Sequence, residues 1–244
     1  MKILFLITAR GGSKGVPGKN LREIGGLSLV GFKALSAKKS RHCSRLIIST
    51  DSAEIQAEAR KHDVEVPFTR PAELATDSAK SGPVIAHAMA WIEAEGREHY
   101  DAVMLLEPSS PFARARDYDA AIAMMERNDA NAVVGVRPSE VSATVVGPLD
   151  ADGRLTSIVD KMHAARAQTG QRQTLGKDYT MNGAFYLFKW DYFKQHQWIY
   201  QDREKVYGYP MDPLYSVEID EPVHLLWAEF LVSQGHISLA DWRG

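Results

Sequence analysis

Short apolar runs alternate with longer amphipathic stretches through the first half of the chain. Ile3–Thr8 (ILFLIT) is continuously apolar or β-favouring. A short run with no polar face predicts a strand buried on both sides, as in a parallel sheet. Arg45–Thr50, Val64–Phe68, Ala102–Leu106 and Ala132–Val136 repeat the pattern and predict further strands. Between them, Leu27–Lys39 carries Leu29, Val30, Phe32 and Leu35 at helical spacing and closes on basic residues, which suit a helix C-terminus. Ala53–Lys61 (with Ser52 as N-cap), Pro83–Glu95 and Ala115–Arg127 predict the other helices of this half. The alternation then stops. Residues 139–180 have weak periodicity, a turn at Pro148–Gly153 and a basic polar run from Lys161 to Lys177, and predict an inserted arm. Strand character returns at Asn182–Phe188 and Lys205–Tyr209, with helices at Trp190–Gln197 and Glu221–Ser233. The expected organisation is an α/β domain of residues 1–138 and 181–244, with a mostly parallel central sheet flanked by helices, interrupted by an arm at 139–180.

Composition narrows the class. The chain has 244 residues, 45% hydrophobic and 25% charged, as in an ordinary globule. Its formal net charge of −2 gives no general attraction to nucleic acid or anionic membrane. One cysteine, Cys43, excludes an intramolecular disulfide framework and a cysteine-rich zinc site. The apolar start is too short for a secretory core, and no run approaches a membrane span, so a soluble cytoplasmic protein is expected.

The chemistry concentrates where the first strand ends. Gly11, Gly12, Gly15 and Gly18 let the backbone bend and leave N–H groups free. Arg10, Lys14 and Lys19 add cations to the same loop, and Ser13 a hydroxyl. A glycine-rich cationic loop at the carboxyl end of a first strand suits a polyanion, most simply a nucleotide triphosphate. It is neither a P-loop, since Gly18-Lys19 is followed by Asn20, nor the dinucleotide fingerprint, since its glycines are adjacent. Ser49-Thr50-Asp51-Ser52 ends the second strand, where either a ligand or a capping turn belongs. The connection Thr69–Ser81 is long for a βα loop, and long ordered loops are often functional. In Ser216–Pro222 the alternation of a strand would put Glu218 and Asp220 on one side and Val217 and Ile219 on the other. Two adjacent carboxylates call for a cation, and Mg²⁺, hard and usually shared with substrate phosphates, is the natural one.

Ala9–Asn20, ARGGSKGVPGKN, resembles the first motif of the CMP-sialic acid synthetases, the acylneuraminate cytidylyltransferases. Arg70–Ser81 resembles that family's R-P-x-E-L-A-x-D-x-A-x-S segment, Asn182–Tyr186 its N-G-[AS]-[IF]-Y, and Glu218-Ile219-Asp220 its D-I-D. The resemblance implies a Rossmann-like nucleotidyltransferase fold, and CTP plus a nonulosonic acid giving a CMP-sugar and pyrophosphate with Mg²⁺. It places the nucleotide on Ala9, Arg10, Gly12, Ser13, Lys19 and Asn20, with Arg70, Ala79 and Ser81 reading the cytosine. Arg10, Lys14, Lys19 and Asp220 become the catalytic residues, and Asp220 and Glu218 the metal ligands. Glu107, Ser109, Ser110 and Asn182 meet the sugar, together with Arg172 and Gln173 of an arm that crosses to the second subunit of a homodimer. The family usually has glutamine where Glu107 stands, and aspartate where Glu218 stands. The sequence does not separate neuraminic, legionaminic and pseudaminic acids. A cytidylyltransferase for Kdo or another acid sugar, and a non-catalytic CTP-binding regulatory protein, are the alternatives.

Overall fold

A computed structural model describes residues 1–95, 98–169 and 177–243. In chain order its elements are β1 (Ile3–Thr8), a short hairpin of β2 (Glu23–Ile24) and β3 (Leu27–Ser28), α1 (Leu29–Lys39), β4 (Cys43–Ser49), α2 (Ala53–Lys61) and α3 (Ser81–Glu95). There follow β5 (Ala102–Leu106), α4 (Ala115–Asn128), β6 (Ala132–Pro138), α5 (Thr156–Thr169), β7 (Tyr179–Lys189), α6 (Trp190–His196), β8 (Val206–Pro210) and α7 (Pro222–Ser233). The main sheet runs β4-β1-β5-β7-β6-β8. All its pairings are parallel except those of β7, which lies antiparallel between β5 and β6. Ile3–Ile7 are wholly buried, as an unbroken apolar run between two neighbours requires.

Each face of the sheet is covered. On one, Val30 and Ala34 of α1, Ile55 of α2 and Ile122 of α4 pack against Phe5, Ile7 and Met104. On the other, Ile85 and Ile92 of α3 and Phe193 of α6 pack against Leu4, Leu6 and Phe188. A third cluster joins Phe32, Phe112, Ile219, Leu231 and Trp242. It ties the segment leading to Asp220 to α1 and α7.

Two predicted strands are absent. Val64–Phe68 contributes only an isolated bridge, Glu65 to Ile47. Asp63 turns the chain with φ of 49°, and Pro67 lacks the N–H that a ladder needs. Ser216–Pro222 has no ladder partner, although Ile219 N–H donates once to Ser109 O at 2.7 Å. The expected facing persists without the strand: Ile219 is buried while Glu218 and Asp220 line one cleft.

The arm grows from the β6–β7 ladder, which reaches Pro138 opposite Tyr179. It contains the helix α5, which packs on a 3₁₀ turn at Ala143–Val145. Apolar side chains on it stay exposed, among them Val146, Leu149, Leu155 and Val159.

A bulge in β7 decides where the strand points. Its register with β6 shifts between Val134 and Val136. Gly183 has φ of 62°, a left-handed value that glycine adopts without penalty. Ala184 therefore loses its ladder partners, and side chains replace them. Its N–H donates to Asn182 Oδ1 at 3.1 Å, and its carbonyl accepts from Lys33 Nζ at 2.7 Å.

Candidate active site

A cleft of about 480 Å³ opens at the carboxyl ends of β1 and β5. The glycine loop forms one wall. Its course is fixed by backbone and side-chain bonds from the end of β4. Ala9 N–H donates to Ser49 O at 3.1 Å, and Gly11 N–H to Asp51 Oδ1 at 2.9 Å. Asn20 Nδ2 closes the loop on Arg10 O at 2.9 Å. The Ser49–Ser52 tetrapeptide thus serves as loop anchor and, through Ser52 Oγ accepting from Ile55 N–H at 3.3 Å, as the cap of α2.

The loop's cations each meet a carboxylate. Arg10 Nη1 is 2.8 Å from Asp77 Oδ1, and Lys14 Nζ is 2.7 Å from Asp77 Oδ2. Lys19 Nζ donates to Ile219 O at 2.7 Å and to Asp220 Oδ1 at 3.1 Å. Gly15 packs so closely on the Asp220 segment that a Cβ there would lie 2.1 Å from Asp220 O. Cationic loop and carboxylate segment are therefore one packed unit.

Across the cleft, Arg70 is 5% exposed and donates from Nε to Ser49 Oγ at 3.0 Å and from Nη2 to Ser49 O. These bonds hold its guanidinium at the cleft wall. Burial pulls its pKa down to about 10, against the pull of Asp51, so it stays cationic at neutral pH. Ala79 and Ser81 line the same wall.

Glu107 lies at the junction of this cleft with a second, more apolar cavity of about 510 Å³, walled by Tyr186, Phe188, Phe193, Trp198 and Tyr200. Burial, then the Glu218 charge, push the Glu107 carboxyl up to about 7 against the attraction of Lys33 and Lys19. Lys33 is fully buried in α1. Desolvation pulls its ammonium down to about 7, opposed by Glu107 and Asp117.

Glu218 rests against Gly183, where a Cβ would come within 2.6 Å of its Oε1. Partial burial, then the neighbouring Asp220 charge, raise the Glu218 carboxyl above its ordinary range. His224 Nδ1 accepts from the backbone N–H groups of Asp220 and Glu221, both at 3.2 Å, which fixes the turn into α7. Among the described residues no group of three or more His, Cys, Asp or Glu forms a metal cage. An open pair of hard oxygen donors, one of them raised by the charge of the other, fits Mg²⁺, which commonly takes one or two carboxylates and completes its shell from phosphates and water.

Most residues expected at the site line this cleft: Ala9, Arg10, Ser13, Lys14, Lys19 and Asn20 from the loop, and Arg70, Ala79, Ser81, Glu107, Ser109, Glu218 and Asp220 from the other segments. Gly12 is exposed in the same loop without lining it. Ser110 and Asn182 are buried behind the wall, Ser110 Oγ donating to Asn182 O at 2.7 Å. Arg172 and Gln173 lie outside the described residues. Sequence reasoning placed Asp51 in the turn that ends the second strand and Asp77 within the Arg70–Ser81 segment without giving either side chain its own role, and it assigned none to Lys33 or His224, although Lys33 stands as a charge within the apolar stripe of α1.

A cleft with clustered cations on one wall and paired carboxylates packed against them, at the open ends of parallel strands, fits an α/β nucleotidyltransferase. The sequence profile of the cytidylyltransferase family matches residues 4–237, and the chain belongs to that family. It is 30% identical over 241 residues to post-translational flagellin modification protein B of Campylobacter coli, covering 99% of each chain. It is 29% identical over 244 residues to CMP-N,N'-diacetyllegionaminic acid synthase of Campylobacter jejuni, again covering 99% of each. Among solved structures, a CMP:2-keto-3-deoxy-manno-octonic acid synthetase complexed with CTP superposes with a TM-score of 0.69 over 96% of this chain and 100% of that one, at 15% identity. That likeness is one of fold.

Proposed function

We propose that this enzyme transfers the cytidylyl group of CTP to a nonulosonic, sialic-type acid and releases pyrophosphate. The observation that carries the proposal is the meeting, in one cleft, of the cationic glycine loop, the Arg70–Ser81 wall and the Glu218–Asp220 pair. Similarity along nearly the whole chain to an enzyme named for CMP-diacetyllegionaminic acid synthesis supports the acceptor class.

Arg70, Ser81 and the backbone near Ala79 bind the cytosine. A base with the wrong donor pattern leaves buried polar groups unpaired, which is where discrimination arises. The sugar's anomeric hydroxyl attacks the α-phosphorus and gives up its proton to solvent, the O–P bond forms, and the bond to the pyrophosphate oxygen breaks. Arg10, Lys14 and Lys19 stabilise the charge that develops on the departing pyrophosphate. Asp220, with Glu218, holds Mg²⁺, which offsets the phosphate charge when bound. Positioning and charge stabilisation suffice for this chemistry, so no covalent nucleophile enters. The acceptor sits at Glu107 and Ser109. The exposed apolar side chains of the arm support a homodimer. Among the described residues no helix is long and apolar enough to cross a membrane, and the cytoplasm, where CTP is available, is the proposed compartment.

The test is pyrophosphate release with Mg²⁺, each of the four nucleoside triphosphates, and a panel of nonulosonic acids and Kdo. Release with CTP and one nonulosonic acid is the expected result. CTP binding with no release from any acid sugar would refute the proposal and favour a non-catalytic nucleotide sensor.

A further inference from the structure

The tip of the long loop between α2 and α3 lines the cleft and ends on the phosphate-binding cations. One carboxylate, Asp77, bridges two of them: Oδ1 is 2.8 Å from Arg10 Nη1 and Oδ2 is 2.7 Å from Lys14 Nζ. Arg10 Nη1 also donates to Thr76 O at 2.8 Å. The hydrogen bond from Lys14 above all, with help from Arg10, holds the Asp77 carboxyl below the usual carboxylate range, so it is ionised at neutral pH. The base of the loop is fastened differently. Arg70 N–H donates to Thr50 O at 2.8 Å, the Arg70 side chain grips Ser49, and Gln56 Nε2 donates to Thr69 Oγ1 at 3.0 Å. None of those anchors involves the glycine loop. Base and tip can therefore part company: the base stays on β4 while the tip is held by ion pairs that another anion can take.

We infer that Asp77 occupies the place of the nucleotide's phosphates in the unliganded enzyme, and that nucleotide binds by exchanging its polyphosphate for this carboxylate on Arg10 and Lys14. The inference rests on the proposed role of the glycine loop as the triphosphate site. A cluster of like charges left bare would repel itself, and one internal anion relieves it. A triphosphate brings more negative charge to the same two cations and displaces the single carboxylate, while Arg70 and Ser81 remain in place for the base. Once the pyrophosphate separates from the nucleotide, Asp77 competes for the same cations and assists its departure. Because the side chains involved are partly exposed (32% for Arg10, 80% for Lys14, 46% for Asp77), the clamp is weak and reversible.

Calorimetric titration of the full-length protein with inorganic tripolyphosphate and pyrophosphate, without sugar or base, tests the inference apart from the overall reaction. Asp77→Asn and Asp77→Ala are expected to bind both anions more tightly than wild type by about threefold or more. Equal or weaker binding in both variants, with unchanged thermal unfolding, would overturn it. Hydrogen exchange of the unsubstituted protein gives a measurement free of folding effects. Tripolyphosphate is expected to raise exchange of the amides around Thr76–Ala79, and protection of those amides would overturn the inference. A wild-type protein that binds tripolyphosphate with the expected exchange yet releases no pyrophosphate from CTP would leave Asp77's role intact and sink the proposed reaction instead.

Discussion

Replacing Asn182 with alanine removes the side chain that builds the β7 bulge. Asn182 is 1% exposed. Its Nδ2 donates to Ser216 Oγ at 3.0 Å and to Met211 Sδ at 3.1 Å, and its Oδ1 accepts from Ala184 N–H at 3.1 Å. Alanine leaves that backbone N–H buried without a partner, at a cost of about 1–3 kcal/mol, and the lost bond to Ser216 adds about 1 kcal/mol. The sulfur contact is weaker and changes little. The sum, about 2–4 kcal/mol, corresponds to a Tm lower by roughly 4–16 °C for a chain of this size. The bulge also places Gly183 under Glu218 and Ser110. A relaxed bulge therefore shifts the carboxylate pair, and kcat is expected to fall more than the affinity for CTP. Scanning calorimetry and steady-state kinetics on the variant check both. A wild-type Tm with a raised KM for the acceptor alone would refute this account, because it would mean that Asn182 meets the sugar rather than holding the strand.

Gly15→Ala places a Cβ 2.1 Å from the Asp220 carbonyl oxygen, so backbone must move; thermal unfolding is expected to register about 1–3 kcal/mol of lost stability and turnover to drop with it. Lys19→Ala is expected to lose most turnover while unfolding cooperatively near the wild-type temperature, and wild-type activity in that variant would remove the loop from the mechanism. Glu107, pushed up to about 7 from 4.5, makes the native state bind more protons than the unfolded chain between those pH values, so ligand-free stability should fall as pH rises through that window. Glu107→Gln is expected to reduce that fall, leaving the share that comes from the raised Glu218 carboxyl, which Tm measured across the window would show. Lys33, pulled down to about 7 from 10.5, acts oppositely, its cost being full below pH 7 and vanishing towards 10.5. Lys33→Met should therefore flatten the alkaline rise in Tm that wild type shows between those values.

The glycine loop was legible because its chemistry is local. Cations, glycines and the preceding apolar run are neighbours in the chain, so their meeting needs no tertiary information. The Glu218–Asp220 pair was legible for a weaker reason. Alternation places i and i+2 together in any extended backbone, and it held although no strand forms, since buried Ile219 fixes which side faces inward. What could not be read depends on distant partners. Asp77 lies 67 positions from Arg10, and nothing in either segment announces the pair. Asn182 and Ser110 have the composition of sugar ligands, but both are buried: Asn182 sits in a bulge, which is set by the register of two strands rather than by one, and Ser110 bonds to the Asn182 carbonyl. Val64–Phe68 had the apolarity of a strand, but Pro67 denies it a donor. Lys33 shows the limit most clearly. Its place in the apolar stripe of α1 predicts burial, and a buried ammonium must find an acceptor. The acceptor is the Ala184 carbonyl, 151 residues away and freed only because β7 bulges. The same lysine lies close enough to Glu107 to oppose the rise in its pKa, so a structural bond in the core and the charge of the proposed acceptor site depend on one side chain.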